Sequence, residues 1–209
     1  IEFTAEGTKF RVYKNTEDQR SKIKDQNPWA EFKTKMIGEF NVRNCLAVII
    51  AADAWGISQA KMQEAFDTFE SVKRRMEVRG VERGVTVIDD FAHHPTAVDE
   101  TLKALRQRYK NNRLIAVFEP RSRSSRLSVF EEKYKAAFAH ADQVIIAGVF
   151  NPEDAKNYGE VLDVPKLVAD IAVADRLAGG ERAVAEDEER LAALDAIDLA
   201  RQRLEEGGG

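Results

Sequence analysis

The chain has 209 residues, enough for one large domain or two small ones with a real core. Hydrophobic residues make up 44% and charged residues 33%, the balance of a soluble globular fold, and a net charge of −4 supplies no global basic field for nucleic acid. The single cysteine, Cys45, excludes an internal disulfide and fits a reducing, cytoplasmic compartment, and no apolar run reaches the ~20 residues of a membrane span.

No signal peptide is visible, and a chain that opens on Ile1 reads as a piece of something longer. Residues 3–12 predict two strands around a turn at Glu6 and Gly7, with Phe10 and Val12 on one face. Residues 14–28 are polar and loop-like, and 31–37 predict a strand with Phe32, Thr34 and Met36 on one face. A helix follows with Asn41 as its N-cap, Val42, Cys45, Leu46, Ile49 and Ile50 at helical spacing, and Gly56 as terminator. Ser58 caps a second helix carrying Met62, Ala65, Phe66 and Phe69. This first part lacks a complete sheet of its own.

Residues 72–78 are basic and read as extended, so at most one of Arg74 and Arg75 aims at a given ligand. Gly80 and Gly84 flank an expected hairpin turn into a strand at Val85, Val87 and Ile88. The order then alternates: a helix after Pro95 with Val98, Leu102, Leu105 and Tyr109, an apolar strand at 114–118 covered on both faces, a helix over 125–141, and a strand at 144–149. Such alternation implies a parallel, doubly wound α/β sheet. Residues 164–204, rich in Ala, Leu, Glu, Asp and Arg, predict a helical tail.

Ligands in open α/β sheets bind outside the carboxyl ends of strands. There stand Asp89, Asp90, His93, His94 and Pro95. They read either as chemistry or as a solvated turn running into a helix cap. Arg121, Arg123 and Arg126 follow the next strand at the same edge, and their forked donors suit an anionic ligand or face solvent. Adjacent histidines diverge, so a protein-only metal site is not expected, while a nucleotide-borne Mg²⁺ needs few protein ligands. The chain contains no GxxxxGK[ST] phosphate loop.

Four segments in order, GEFNVRN at 38–44, SVKRRMEVRG at 71–80, DDFAHHPT at 89–96 and EPRSRSSR at 119–126, together resemble the Mur ligase family. The resemblance implies a Rossmann-like C-terminal domain over 71–209, with an atypical tail from about 176, preceded at 1–70 by the end of a central ATP-binding domain. It places Asn41 and Asn44 at the adenine, Arg75 and Asp90 at the nucleotide, His93 and His94 near the reacting centre, and Arg121, Arg123 and Arg126 before the incoming peptide's carboxylates. It implies ATP and Mg²⁺, held mainly by upstream N-terminal and central regions. The implied partners are UDP-N-acetylmuramate and the tripeptide L-alanyl-γ-D-glutamyl-meso-diaminopimelate, in cell-wall recycling; no nucleic acid or membrane is implied. Phe40 stands where relatives commonly carry His, and the family's closing strand with its Ser-Asn-Gly-Gly ending is not found after 175. The alternatives are a ligase of peptidoglycan synthesis and a non-catalytic module that keeps the same fold. On the ligase reading the isolated chain is expected to be inactive.

Overall fold

The computed structural model describes residues 1–4, 6–14, 27–177 and 183–184. They divide into two compact units, with the boundary between Ser71 and Val72.

In the first unit, β1 (Glu2–Thr4), β2 (Gly7–Val12) and β3 (Ala30–Thr34) make an antiparallel sheet in that order. Gly7 is required at the turn: its φ is 144°, and an added Cβ would stand 2.1 Å from the Thr34 carbonyl oxygen. Alternation turns Phe10, Ala30 and Phe32 inward, onto α1 (Glu39–Ala54) and α2 (Gln59–Thr68). Val42, Cys45 and Ile49 of α1 meet Met62 and Phe66 of α2 there, each large side chain contributing about 1.5–3 kcal/mol by leaving water.

The unit therefore has a three-stranded sheet of its own, contrary to expectation, and three further expectations need correction in it. Gly38, not Asn41, caps α1; Asn41 lies one turn in, its Nδ2 donating to the Ile37 carbonyl at 2.9 Å. Leu46 and Ile50 of α1 are exposed, because the sheet covers only the stripe through Val42, Cys45 and Ile49. Likewise Ala65 and Phe69 face out of α2. Gly56 does end α1: its N–H bonds the Asp53 carbonyl and that of Ile57 bonds Ala52, a Schellman close. Ser58 caps α2 by accepting from the Lys61 N–H.

The second unit opens with a turn. Residues 72–76 are not extended: Arg74 and Met76 hold φ of 59° and 47°, and β4 (Glu77–Glu82) begins only at Glu77. Arg83 and Gly84, both at positive φ, form the two-residue turn into β5 (Val85–Asp89), while Gly80 sits at a bulge inside β4 rather than beside the turn. β5 therefore pairs antiparallel with β4, and the parallel pairing is made by β6 (Ile115–Phe118), β7 (Gln143–Ile146) and β8 (Ala183–Val184).

On one face of β6 and β7, Ala116, Phe118, Val144 and Ile146 pack on α3 (Pro95–Arg108), α4 (Glu131–Ala137) and α6 (Val164–Leu177) through Val98, Leu102, Tyr134, Phe138, Leu167 and Ile171. Its aromatic centre is Phe118, Tyr134 and Phe138, with ring centroids 5.2–6.3 Å apart. β6 is not covered on both faces, since Ile115 and Val117 stay exposed. The helix expected over 125–141 is shorter: residues 122–127 turn, Ser128–Phe130 is a single 3-10 turn, and α4 starts at Glu131. A four-residue α5 (Pro152–Ala155), capped by Asn151, was not expected. In the tail, α6 is helical as read, but Ala183–Val184 is a strand, parallel to β7 at Gln143 and Val144. The rest of the tail lies outside the described residues.

Candidate functional site

The carboxyl ends of β5 and β6 carry the residues singled out by sequence. At the end of β5, Asp90 is a three-way tie: Oδ2 accepts the Met76 N–H at 2.8 Å, Oδ1 accepts the Ala92 N–H at 2.7 Å, and the Thr101 hydroxyl of α3 lies 3.5 Å from Oδ1. The Phe91 N–H closes the same turn on the Arg74 carbonyl at 2.9 Å. Arg74 lies over the Phe91 ring at 4.9 Å, with Nε 3.7 Å from Asp89. The Arg74 N–H, first among several contacts, holds the Glu77 carboxyl below its usual range. Arg75 stands exposed between the two positive-φ residues. Asp90 thus shapes the turn that presents Arg75.

The two histidines have separate surroundings. His94 caps α3, Nδ1 accepting from the Thr96 N–H at 3.3 Å, and its ring meets Phe130 edge-on at 4.9 Å. His93 places Nδ1 2.9 Å from the Phe91 carbonyl, while its own carbonyl accepts the hydroxyl of fully buried Tyr134. Burial pushes the Tyr134 phenol well above its ordinary range, so it remains a donor. Pro95 fits at the first helical position, where no N–H is needed.

After β6 the arginines divide. Arg126 is buried, its Nη1 donating to the carbonyls of Phe150 and Asn151 at 3.3 and 3.2 Å and its Nη2 to Asp154 at 2.8 Å. Arg121 and Arg123 are exposed and lie over the rings of Phe150 and Tyr158 at 4.3 and 4.0 Å. Arg121 also stands 3.7 Å from Glu119. Sequence reasoning grouped the three; burial separates one anchor from two solvent-facing forks that lie over rings. Phe150, Asp154 and Tyr158 were missed, and only the Asn151-Pro152 pair, a helix-start signal, pointed to that segment.

In the first unit the Asn41 and Asn44 amides are linked, Nδ2 of Asn44 lying 3.4 Å from Oδ1 of Asn41. The carboxylates of Glu131, Glu132 and Asp170 lie within 4.8 Å of one another. Lys166 binds Glu131, and Lys135 stands 3.0 and 3.2 Å from Glu132 and Asp170, so the cluster is an ion-pair network.

Asp90, His93 and His94 thus follow a strand of the two-stranded sheet and Arg121, Arg123 and Arg126 a strand of the three-stranded one, within one mixed α/β unit. Residues 74–204 match the family model described as Mur ligase, glutamate ligase domain, and the chain belongs to that family. It is 41% identical over 117 residues to UDP-N-acetylmuramate--L-alanyl-gamma-D-glutamyl-meso-2,6-diaminoheptandioate ligase of Escherichia coli, covering 56% of this chain and 26% of that protein. With UDP-N-acetylmuramate--L-alanine ligase of Brachyspira hyodysenteriae it shares 42% over 120 residues, covering 57% and 26%. The crystal structure of a murein peptide ligase from Psychrobacter arcticus matches 78% of this chain and 32% of its own, with 27% identity and a TM-score of 0.52. The chain thus spans about a quarter of the length of these curated relatives. Members of the family with these names are ligases. Among the described residues, no helix is long and apolar enough to cross a membrane.

Proposed function

We propose that this chain is part of a cytoplasmic, ATP-dependent ligase that joins UDP-N-acetylmuramate to L-alanyl-γ-D-glutamyl-meso-diaminopimelate in peptidoglycan recycling. The observation that carries the reading is the loop after β6: two exposed guanidinium groups, Arg121 and Arg123, each backed by an aromatic ring. An acceptor peptide rich in free carboxylates suits such forks better than a single amino acid does. The name of the Escherichia coli relative states this substrate pair.

On this reading residues 1–70 close an ATP-binding domain, with Asn41 and Asn44 at the adenine, and residues 71–209 are the C-terminal domain. ATP with Mg²⁺, when bound, supplies the phosphoryl group that activates the sugar's carboxylate. The fit to this chain is partial: with no phosphate loop in its sequence, it can bring a cation rather than a cradle. On this reading Arg75 is that cation, standing in the turn that Asp90 ties. His93 and His94 border the reacting groups, and the two arginines hold the acceptor. Positioning and charge neutralisation of this kind supply most of the acceleration in phosphoryl transfer.

The test is ATP-dependent phosphate release by the intact ligase, with UDP-N-acetylmuramate and either the tripeptide or L-alanine as acceptor. Turnover with the tripeptide alone is expected, and none from the isolated chain. A preference for L-alanine would favour the second reading, an L-alanine ligase, which the 42% identity to the Brachyspira enzyme supports.

A further inference from the structure

Residues 150–160 belong to no sequence motif, yet they are fastened to the arginine loop at both ends. The Phe150 N–H bonds the Pro120 carbonyl at 3.0 Å. Arg126 then grips the carbonyls of Phe150 and Asn151 and the carboxylate of Asp154. Beyond, the Ser128 N–H bonds the Glu160 carbonyl and the Leu162 N–H bonds Arg126, each at 2.9 Å, while Leu127 and Val161 pair as an isolated bridge. Between these ties, Phe150 and Tyr158 remain 44% exposed, and each has an arginine over its ring.

These bonds fix where two rings stand. A free surface arginine samples many rotamers and loses that freedom when it binds. A ring beneath the guanidinium plane restricts it in advance and leaves the N–H edges to solvent. We propose that residues 150–160 are a specificity platform, with Arg126 as its positioning residue, which holds Arg121 and Arg123 over its rings to receive the carboxylates of an acceptor peptide. The proposal rests on the ligase reading above and adds to it the residues that organise acceptor recognition.

The test uses the full chain, following the arginine Nε–Hε resonances by NMR, with Arg121→Lys and Arg123→Lys to assign them. The tripeptide is the probe and inorganic phosphate the comparison. The tripeptide is expected to shift both resonances, and phosphate neither at equal concentration. Phe150→Leu and Tyr158→Leu, which keep an apolar side chain but lose the π-face, should each weaken the tripeptide by roughly two- to fivefold. Tyr158→Phe, which keeps the ring, should bind as the parent does. If both leucine variants bind like the parent while Arg121→Ala and Arg123→Ala lose the peptide, the platform is overturned and the ligase reading stands. If the parent shows no shift, or phosphate shifts the same resonances as strongly, the loop is no peptide site and the platform falls, while the ligase reading is decided separately by the turnover of the intact ligase.

Discussion

Asp90 and Met76, fourteen positions apart, are joined by one hydrogen bond of 2.8 Å from a main-chain N–H to a carboxylate. Through it the end of β5 dictates the conformation of the turn before β4, where Met76 is held at a φ of 47°. A non-glycine residue in that region costs about 1 kcal/mol or more and persists only when its surroundings over-determine it.

Removing that carboxylate should release the turn. Asp90→Ala is expected to lose about 2–3 kcal/mol in urea unfolding, since two main-chain donors lose a charged acceptor. Asp90→Asn, which keeps one oxygen, should lose about half as much. A variant as stable as the parent would show that the turn is held by Phe91 and Arg74 instead.

Arg126 should be the costliest arginine to remove. Arg126→Ala strips partners from two carbonyls and from Asp154, with an expected loss of about 2–4 kcal/mol, against about 0.5 kcal/mol for Arg121→Ala at the exposed pair with Glu119. Thermal melts of the two variants side by side decide it; equal shifts would contradict the buried anchor.

These contrasts show where sequence reading succeeds. Period-2 and period-3.6 patterns located most elements, because one covered face leaves its mark at Phe10 and Phe32, or at Val98, Leu102 and Leu105. Periodicity does not say how wide the covered stripe is, so Leu46, Ile50, Ile115 and Val117 were placed inside and lie outside. The hairpin turn into β5 is legible through Gly84, but nothing in Val85, Val87 and Ile88 says that this strand stands in a two-stranded sheet with β4, apart from β6 and β7. For the site, the motifs marked Asp90 and the arginines, but which guanidinium is an anchor depends on Asp154 and Phe150, which carry no local signal.

The β4–β5 turn carries a correctable strain. Arg83 occupies the first central position at a φ of 49°, where asparagine is preferred ahead of glycine, and its pairing with Glu82 is exposed at both ends. Arg83→Asn should therefore raise stability by about 0.5 kcal/mol. Gly84→Ala, at a φ of 82°, should lower it by about 1 kcal/mol, through backbone strain alone since nothing lies within 4 Å of the added Cβ. Denaturant midpoints of opposite sign are the expected readout.

Tyr134 gives an alkaline signature. Its folded-state phenol is raised by burial, so its contribution is complete below the unfolded value of about 10 and is lost as pH rises through the folded one. Tyr134→Phe, which also orphans the His93 carbonyl, should cost about 1–2 kcal/mol at pH 8. The gap between parent and variant should shrink above pH ~10. A constant gap to pH ~11 would mean that the phenol is not buried in the folded chain.

Asp142 should govern the acid side. Burial pushes its carboxyl upward, but the Arg106 fork at 2.6 Å, the Leu114 N–H at 2.6 Å and the charge of Arg113 together bring it below its usual value. A depressed folded value means that the stabilisation is present above the unfolded value of about 3.9 and is lost as pH falls through the folded one. Because the side chain is 47% exposed, the interaction is screened, and Asp142→Asn should cost only about 1 kcal/mol at pH 7. The same bonds tie α3 to the start of β6, since Arg106 also donates to the carbonyls of His140 and Asn112. Urea unfolding of parent and variant between pH ~2 and 7 should give curves that converge at the acid end, and a gap that persists unchanged there would assign the effect to packing instead of charge.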